Sequence, residues 1–227
     1  MKRGIILFIL IMIIIVAIVF FLNIKNDSEE IDKDQSALEI RQATVGFIGC
    51  SNTHQTVYGY RWAQGKNIWL VERNSIHDYD SGSVVQWARD IEEENQFWNV
   101  FDEHLKRNPN THEVWWQLCI PLGESRITYE EALIVIENLR NKISGVKIYV
   151  SPLAEYTESV CEITGIEGIE RAISLAKELD SKNDDVLPGP ILGPLSLSEI
   201  SHEERDRCHP NEEGMGKMGG QLKEFFG

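Results

Sequence analysis

Residues 44–53 read Thr-Val-Gly-Phe-Ile-Gly-Cys-Ser-Asn-Thr, an apolar run that passes into a glycine and then into small polar residues. A short apolar run bounded by turn residues is typical of a buried β-strand. Similar runs follow at residues 67–71, 113–120 and 146–150, and a fifth, at residues 186–195, is interrupted by proline and glycine. The sequence therefore predicts five strands, and Ser51 follows the end of the first.

Segments with helical periodicity lie between these runs. Apolar residues at 84, 87, 88 and 91 recur at helical spacing, in a pattern that continues to about residue 106. Residues 128–131 form a capping box that opens a second helix, and residues 166–179 and 214–226 predict two more. Alternating strands and helices predict an α/β domain in which helices cover both faces of a parallel sheet. Sites in such sheets form at the carboxyl ends of the strands, which is where Ser51 falls.

The N-terminal segment predicts a membrane anchor. Residues 4–22 are uncharged and almost wholly aliphatic, and the run is long enough to span a bilayer. Lys2 and Arg3 precede the run and acidic residues follow it, so the positive-inside rule places the N-terminus in the cytoplasm. We expect residues 1–25 to form a cytoplasmic tip and an uncleaved signal-anchor, which makes this a single-pass protein of the cell membrane with an extracytoplasmic domain. A cleaved signal peptide is the alternative.

The chain beyond the anchor is acidic. Residues 26–43 are polar and predict a stalk, while residues 44–227 have the length of one domain. The whole chain has 36 Asp and Glu against 22 Lys and Arg, a net charge of -14 at pH 7. Surfaces that bind phosphate groups need clustered Lys and Arg, and the sequence has no such cluster. Nucleic acid and anionic lipid headgroups are therefore not expected as partners.

A second informative stretch, residues 206–214, reads Asp-Arg-Cys-His-Pro-Asn-Glu-Glu-Gly. A nucleophilic serine needs a base to take its proton, and that base needs a carboxylate to fix its tautomer. Because Asp206 and His209 are three residues apart, a single turn can present both to Ser51. The pattern predicts a catalytic triad that needs no cofactor. A zinc site at Asp206, Cys208 and His209 is disfavoured, because these residues lack the spacing of metal ligands.

Three stretches are similar to the sequence blocks of one enzyme family. Gly49-Cys50-Ser51 resembles a Gly-Asp-Ser block with cysteine in place of aspartate, and Ser81-Gly82 resembles a block whose glycine amide binds an oxyanion. Residues 206–214 resemble a final block of Asp-x-x-His followed by proline. The chain thus resembles the SGNH (GDSL-like) hydrolases. This resemblance implies a three-layer α/β/α flavodoxin-like fold and an esterase, lipase or thioesterase activity.

The resemblance also implies a role for each residue of the site. Ser51 would be the nucleophile, His209 the base and Asp206 the carboxylate behind it. The backbone amides of Ser51 and Gly82 would form the oxyanion hole. Such amides stabilise the negative charge that develops on the carbonyl oxygen in the transition state.

One family block has no counterpart in the chain. The family's third strand leads into Gly-x-Asn-Asp, whose asparagine donates to the oxyanion, whereas residues 116–122 read Trp-Gln-Leu-Cys-Ile-Pro-Leu. Loss of one oxyanion donor slows catalysis by roughly two to three orders of magnitude. We expect another side chain to replace this donor, from Asn52, Gln117 or Ser125. A slower, specialised esterase and a domain that binds without turnover are the alternatives.

The four cysteines predict two disulfides in an extracytoplasmic domain. The flavodoxin-like strand order that the resemblance implies makes the first and third strands neighbours, which pairs Cys50 with Cys119. The same order places Cys161 near the turn that holds Cys208, so these two form the second pair. Four reduced, buried thiols are the alternative.

Together these features predict a membrane-anchored serine esterase that acts outside the cytoplasm. Its location suits an ester substrate of the cell envelope, such as an acylated glycan or a lipid. The alternative is a noncatalytic glycan- or partner-binding module that kept the fold after losing the asparagine donor. A structural envelope protein whose triad-like residues are coincidental is a third hypothesis.

Overall fold

A computed structural model describes residues 43–70, 81–89, 95–157, 161–201 and 207–227. The predicted anchor, residues 1–25, lies outside the described residues, and so does the predicted stalk except for its last residue, Ala43. The predicted triad residue Asp206 also lies outside them. In the described ranges, no helix combines the length and the apolar character needed to cross a bilayer.

A parallel sheet forms the centre of the domain. Its four strands are β1, Val45–Ile48; β2, Glu113–Gln117; β3, Lys147–Ser151; and β4, Val186–Pro188. They pair in parallel in the order β1-β2-β3-β4. Ile68 forms a parallel bridge to Val45 at the other edge of β1. The predicted α/β class with a parallel sheet is therefore confirmed.

Six α-helices lie within the described residues. They are α1, Ser51–Trp62; α2, Val84–Ala88; α3, Gln96–Arg107; α4, Tyr129–Lys142; α5, Gly165–Lys182; and α6, Glu212–Phe226. Thr128 precedes α4 and its side chain accepts from the amide of Glu131 at 3.3 Å, as its position in the predicted capping box requires.

The helical pattern from residue 84 to about residue 106 does not form one helix. Arg89 follows α2 in an extended conformation, with ψ of 157°, and α3 begins after Asn95. The Asn95 side chain accepts from the amide of Phe97 at 3.0 Å and caps the new helix. The sequence did not predict this break, because the same apolar periodicity occurs on both sides of it. Periodicity indicates which residues are buried, but it does not indicate whether the chain continues in the same direction.

Adjacent tryptophans on β2 show that both faces of the sheet are covered. Neighbouring residues of a strand point to opposite faces, yet Trp115 and Trp116 are both 0% exposed. The arrangement is consistent with a three-layer α/β/α fold. Parallel sheets take this form because their crossover helices pack against both faces.

The first and last helices pack backbone to backbone. A Cβ atom on Gly59 of α1 would overlap the carbonyl of Met215 on α6, and one on Gly219 would overlap the backbone of Gly59. Only glycine permits so close an approach. Helix α1 begins at Ser51 and α6 begins three residues after His209, so this contact fixes the relative positions of the segments that hold the two predicted site residues.

Candidate active site

A sharp turn carries Ser51 from the sheet to the start of α1. Gly49 follows β1 with a φ of +152°, where a side chain would also overlap the hydroxyl of Thr53. That hydroxyl accepts from the amide of Cys50 at 3.0 Å and donates to Oε1 of Gln117 on β2 at 2.8 Å. The turn is therefore tied to the neighbouring strand, and Ser51 is the first residue of α1 at the carboxyl end of β1.

His209 is held just before α6 by backbone pairing. Ile200 and Pro210 form an antiparallel bridge, and the amide of Ser201 donates to the carbonyl of His209 at 2.8 Å. Asn211 then caps α6, because its side chain accepts from the amides of Glu213 and Gly214. The imidazole thus extends from a segment with little freedom to shift.

The structure brings Ser51 and His209 together. The Ser51 Oγ lies 2.5 Å from the His209 Nε2, although the residues are 158 positions apart in the sequence. Both side chains are half-buried. A hydrogen bond of this kind would allow an imidazole to take the proton of a nucleophilic hydroxyl. The third predicted member, Asp206, lies outside the described residues.

The carbonyl of Cys208 provides another anchor for the histidine. It accepts from the Tyr156 hydroxyl at 2.6 Å and from Nδ2 of Asn52 at the longer distance of 3.4 Å. These bonds link the residue before His209 to the segment after β3 and to α1. The sequence did not predict this role of Tyr156. The available signal was its position five residues beyond the carboxyl end of β3.

Both predicted disulfides form. Cys50 pairs with Cys119 and Cys161 pairs with Cys208, with Cα atoms 6.1 Å and 4.2 Å apart. One half of each bridge is the direct neighbour of Ser51 or His209 in the sequence. The bridges therefore tie the turn before α1 to the end of β2, and the histidine segment to the segment before α5.

A cavity of about 230 Å³ opens at these residues. The apolar part of its wall is formed by three disulfide-bonded cysteines, Cys50, Cys119 and Cys208, and by three apolar side chains, Pro121, Leu153 and Ile163. The remaining described residues of the lining are polar or small: Ser51, Asn52, Ser81, Gly82, Ser83, Gln86, Thr164 and His209. The three apolar side chains and Thr164 were not predicted.

The predicted oxyanion donors all lie at the cavity, but their backbone amides differ in hydrogen bonding. Ser51 and Asn52 occupy the first two positions of α1, where backbone amides have no acceptor within the helix. Gly82 also lines the cavity, but its amide donates to the carbonyl of Gly49 at 2.6 Å. The Gly82 amide therefore reaches an oxyanion only after this bond is exchanged.

Of the three expected replacement donors, only Asn52 is among the described residues that line the cavity. Gln117 is fully buried at the end of β2, where its Oε1 binds Thr53. Ser125 is exposed, in a turn outside the lining. Asn52 is 2% exposed, and its Oδ1 has no hydrogen-bond partner.

Glu199 contacts the segment that contains His209 and the start of α6. The amide of Ser196 and the ammonium of Lys217 both contact its carboxylate, at 2.7 Å and 2.9 Å, and these contacts lower the pKa of Glu199. The Glu199 carbonyl accepts from the amide of Asn211 at 3.0 Å. The carboxylate thus stabilises the turn against which the start of α6 packs.

Metal ligands do not converge anywhere in the part of the chain that the structure describes, since no group of three or more His, Cys, Asp or Glu side chains comes together. The described side chains of the cavity instead offer four hydroxyls, an imidazole and two amide groups. A comparison of the chain with protein-family models and with curated proteins finds no match.

Proposed function

We propose that the protein is a serine ester hydrolase of the SGNH (GDSL-like) type. The observation that carries this proposal is the 2.5 Å contact between the Ser51 Oγ and the His209 Nε2. Its setting adds support, because the pair lies in a cavity at the carboxyl end of β1, next to the N-terminus of a helix. Nucleophile, base and space for a substrate therefore occur together.

The order of the strands supports the family resemblance. Ile68 lies beside β1 on the side opposite β2, and β3 and β4 follow β2. In order of sequence, the five predicted strands are thus arranged 2-1-3-4-5, which is the flavodoxin-like order. The site then lies at the point where the order reverses, as is usual in open α/β sheets.

The reaction proceeds by acyl transfer in two steps. His209 takes the proton of Ser51 as the Oγ bonds to the ester carbonyl carbon, and the carbonyl electron pair moves onto its oxygen. The intermediate collapses, the bond to the alcohol oxygen breaks, and His209 gives its proton to the departing alcohol. Water then attacks the acyl-enzyme with His209 again as base, which releases the carboxylic acid and restores Ser51. Asp206 orients His209 and balances its charge.

Amides at the start of α1 stabilise the oxyanion. The amides of Ser51 and Asn52 and the positive end of the helix dipole favour negative charge at this position. The side chain of Asn52 takes over the role of the missing asparagine when its Nδ2 exchanges the Cys208 carbonyl, 3.4 Å away, for the oxyanion. Gly82 joins when its amide exchanges the Gly49 carbonyl for the oxyanion.

The substrate is an ester outside the cytoplasm. Residues 1–25 hold the protein in the cell membrane, and two disulfides suit an oxidising compartment. This location favours an acylated glycan or a lipid of the cell envelope. One finding favours a noncatalytic binding module instead, namely the bond between the Gly82 amide and the Gly49 carbonyl.

Hydrolysis of p-nitrophenyl acetate by the detergent-solubilised full chain tests the proposal. We expect Ser51→Ala to reduce the rate to background while Ser181→Ala, a change at an exposed serine on α5, retains the wild-type rate. Equal rates for Ser51→Ala and wild type would refute the proposed serine hydrolase activity. A wild-type protein that binds acylated glycans without hydrolysing them would favour the binding module.

A further inference from the structure

The carbonyl of Gly49 accepts two hydrogen bonds. The amide of Gly82 donates to it at 2.6 Å, and the indole Nε1 of Trp87 donates to it at 3.1 Å. A carbonyl oxygen has two lone pairs, so both of its acceptor sites are in use. Gly82 lines the cavity of Ser51 and His209, whereas Trp87 is not among the described residues of the lining. One donor therefore lies at the site and the other lies behind it.

The indole of Trp87 is fixed in place by packing. Trp87 lies on α2 and is 2% exposed. Its ring packs against Phe97 and Trp98, with ring centroids 5.3 Å and 5.1 Å apart. The indole of Trp98 also donates to the carbonyl of Trp87 at 2.9 Å. The N–H of Trp87 is thus held toward the Gly49 carbonyl by contacts that do not depend on the Gly82 amide.

The segment of Gly82 has a second anchor two residues further along the chain. The amide of Val84 donates to the carbonyl of Cys119 at 3.2 Å, and Cys119 is bonded to Cys50, the neighbour of Ser51. This anchor does not involve the Gly82 amide. Gly82 therefore stays beside Ser51 when its amide changes partner.

The two acceptors that the Gly82 amide can bind differ in charge. Before the reaction the amide binds the neutral carbonyl of Gly49, whereas in the transition state of the proposed reaction an oxyanion forms in the same cavity. Hydrogen bonds to an ionised acceptor are roughly twice as strong as those between neutral groups, so the exchange is favoured once negative charge has developed. An interaction made only in the transition state raises kcat and leaves KM unchanged.

The exchange has a cost at Gly49, which is buried. A buried carbonyl that is left without any hydrogen bond suffers the full penalty of its desolvation, which would cancel much of the gain at the oxyanion. Trp87 removes most of this penalty, because its N–H remains on the Gly49 carbonyl when the Gly82 amide leaves.

Building on the proposed hydrolase function, we propose that Trp87 is a positioning residue that frees the Gly82 amide for the oxyanion by keeping the Gly49 carbonyl hydrogen-bonded. The oxyanion hole is then completed as the transition state forms. A Trp87 side chain that only fills the core would contribute to stability and have no specific effect on kcat.

Trp87→Phe tests this role, because it keeps an aromatic ring and removes the N–H. With the full chain and p-nitrophenyl acetate, we expect kcat to fall roughly ten- to hundredfold while KM stays within about twofold. Hexyl trifluoromethyl ketone provides a second readout. The Ser51 Oγ bonds to its carbonyl carbon, the serine proton passes to His209, and the carbonyl oxygen becomes an oxyanion. Its inhibition constant should rise by a factor similar to the loss of kcat.

Trp69→Phe is the matched control. It also removes the N–H of a buried indole, which donates to the Thr111 hydroxyl at 2.8 Å, and neither residue is among those described at the cavity. Both variants should lower Tm, but only Trp87→Phe should lower kcat and weaken the ketone. A wild-type kcat in Trp87→Phe, or an equal loss of kcat in the two variants, overturns the role of Trp87.

NMR of the wild-type protein gives an answer that does not depend on the folding of a variant. The chain has six tryptophans, so six indole N–H peaks are expected. When the ketone binds, the Trp87 peak should move downfield, because its bond to Gly49 strengthens as the carbonyl loses its other donor. The corresponding trifluoromethyl alcohol, which forms no oxyanion, should leave this peak in place. A Trp87 peak that the ketone does not move overturns the role of Trp87.

The same experiments separate the two proposals. If the wild-type protein hydrolyses p-nitrophenyl acetate and any of these contrary results is found, only the role of Trp87 fails. A wild-type protein that neither hydrolyses this ester nor binds the ketone overturns the proposed function and the role of Trp87 together.

Discussion

Gly59 and Gly219 meet where the first and last helices of the domain cross, with no space for a side chain on either. The two helices begin beside the residues of the candidate site, α1 at Ser51 and α6 just after His209. The 2.5 Å hydrogen bond between Ser51 and His209 therefore depends on a helix contact that is several residues away from it.

Gly219→Ala should destabilise the domain by about 1 to 3 kcal/mol, because the added methyl group overlaps the backbone of Gly59 and forces the helices apart. Activity should fall with it, since the shift separates the base from the nucleophile. Urea unfolding measures the stability. The control is Gly220→Ala on the same helix, where a Cβ meets no atom within 4 Å. That variant should be more stable than wild type by up to about 1 kcal/mol. Equal stability of the two alanine variants would contradict the close contact.

Tyr156→Phe should lower kcat several-fold with little change in KM, because it removes the 2.6 Å bond that holds the carbonyl before His209. The expected loss of stability is about 1 kcal/mol. Steady-state kinetics and thermal unfolding measure the two effects. Tyr149→Phe is the control, since that hydroxyl donates to Glu113 at 3.3 Å, away from the cavity. A kcat for Tyr156→Phe equal to that of Tyr149→Phe would show that the bond does not position the base.

Replacing Cys161 and Cys208 together by alanine should destabilise the domain by about 2 to 4 kcal/mol, because the bond closes a loop between positions 47 residues apart. Because Cys208 precedes His209, kcat should also fall. Peptide mapping under non-reducing conditions checks both pairings, and calorimetry checks the stability. Full activity and an unchanged Tm after complete reduction of both bonds would argue against a bracing role.

Glu199→Gln should destabilise the domain near neutral pH and much less in acid. Because hydrogen bonds from Ser196 and the charge of Lys217 hold the pKa of Glu199 below its unfolded value, the stabilisation is present above the unfolded pKa and disappears as pH falls through the folded pKa. At pH 7 we expect a loss of about 1 kcal/mol, and the difference should shrink as pH falls below the unfolded pKa of about 4.3 and vanish once the folded carboxyl is protonated. Urea unfolding across this range is the measurement. The control is Glu224→Gln, a change at an exposed glutamate of α6.

Much of the candidate site follows from strand ends and spacing. Ser51 and His209 come together because parallel strands place their carboxyl ends, and the segments that follow them, at one edge of the sheet. The disulfide pairing follows from the strand order that the family resemblance implied. These features depend on the order and direction of the strands, and the apolar runs in the sequence show where the strands lie.

Other features depend on contacts that leave no mark in the local sequence. The break at Arg89 separates two helices with one apolar pattern. The fifth predicted strand, residues 186–195, forms only at Val186–Pro188, because proline and glycine end its pairing. The bond from the Gly82 amide to Gly49 joins distant turns, and the bond from the Trp87 indole to the same carbonyl is defined only by its tertiary surroundings.

Labelling with a fluorophosphonate tests the central claim most directly, because this reagent reacts with a serine only when a base has activated it. Mass spectrometry of the intact protein and of its peptides should find one phosphonyl group, on the peptide that contains Ser51, and His209→Ala should abolish the labelling. No adduct on the folded wild-type protein, or an adduct at a serine other than Ser51, would contradict the account.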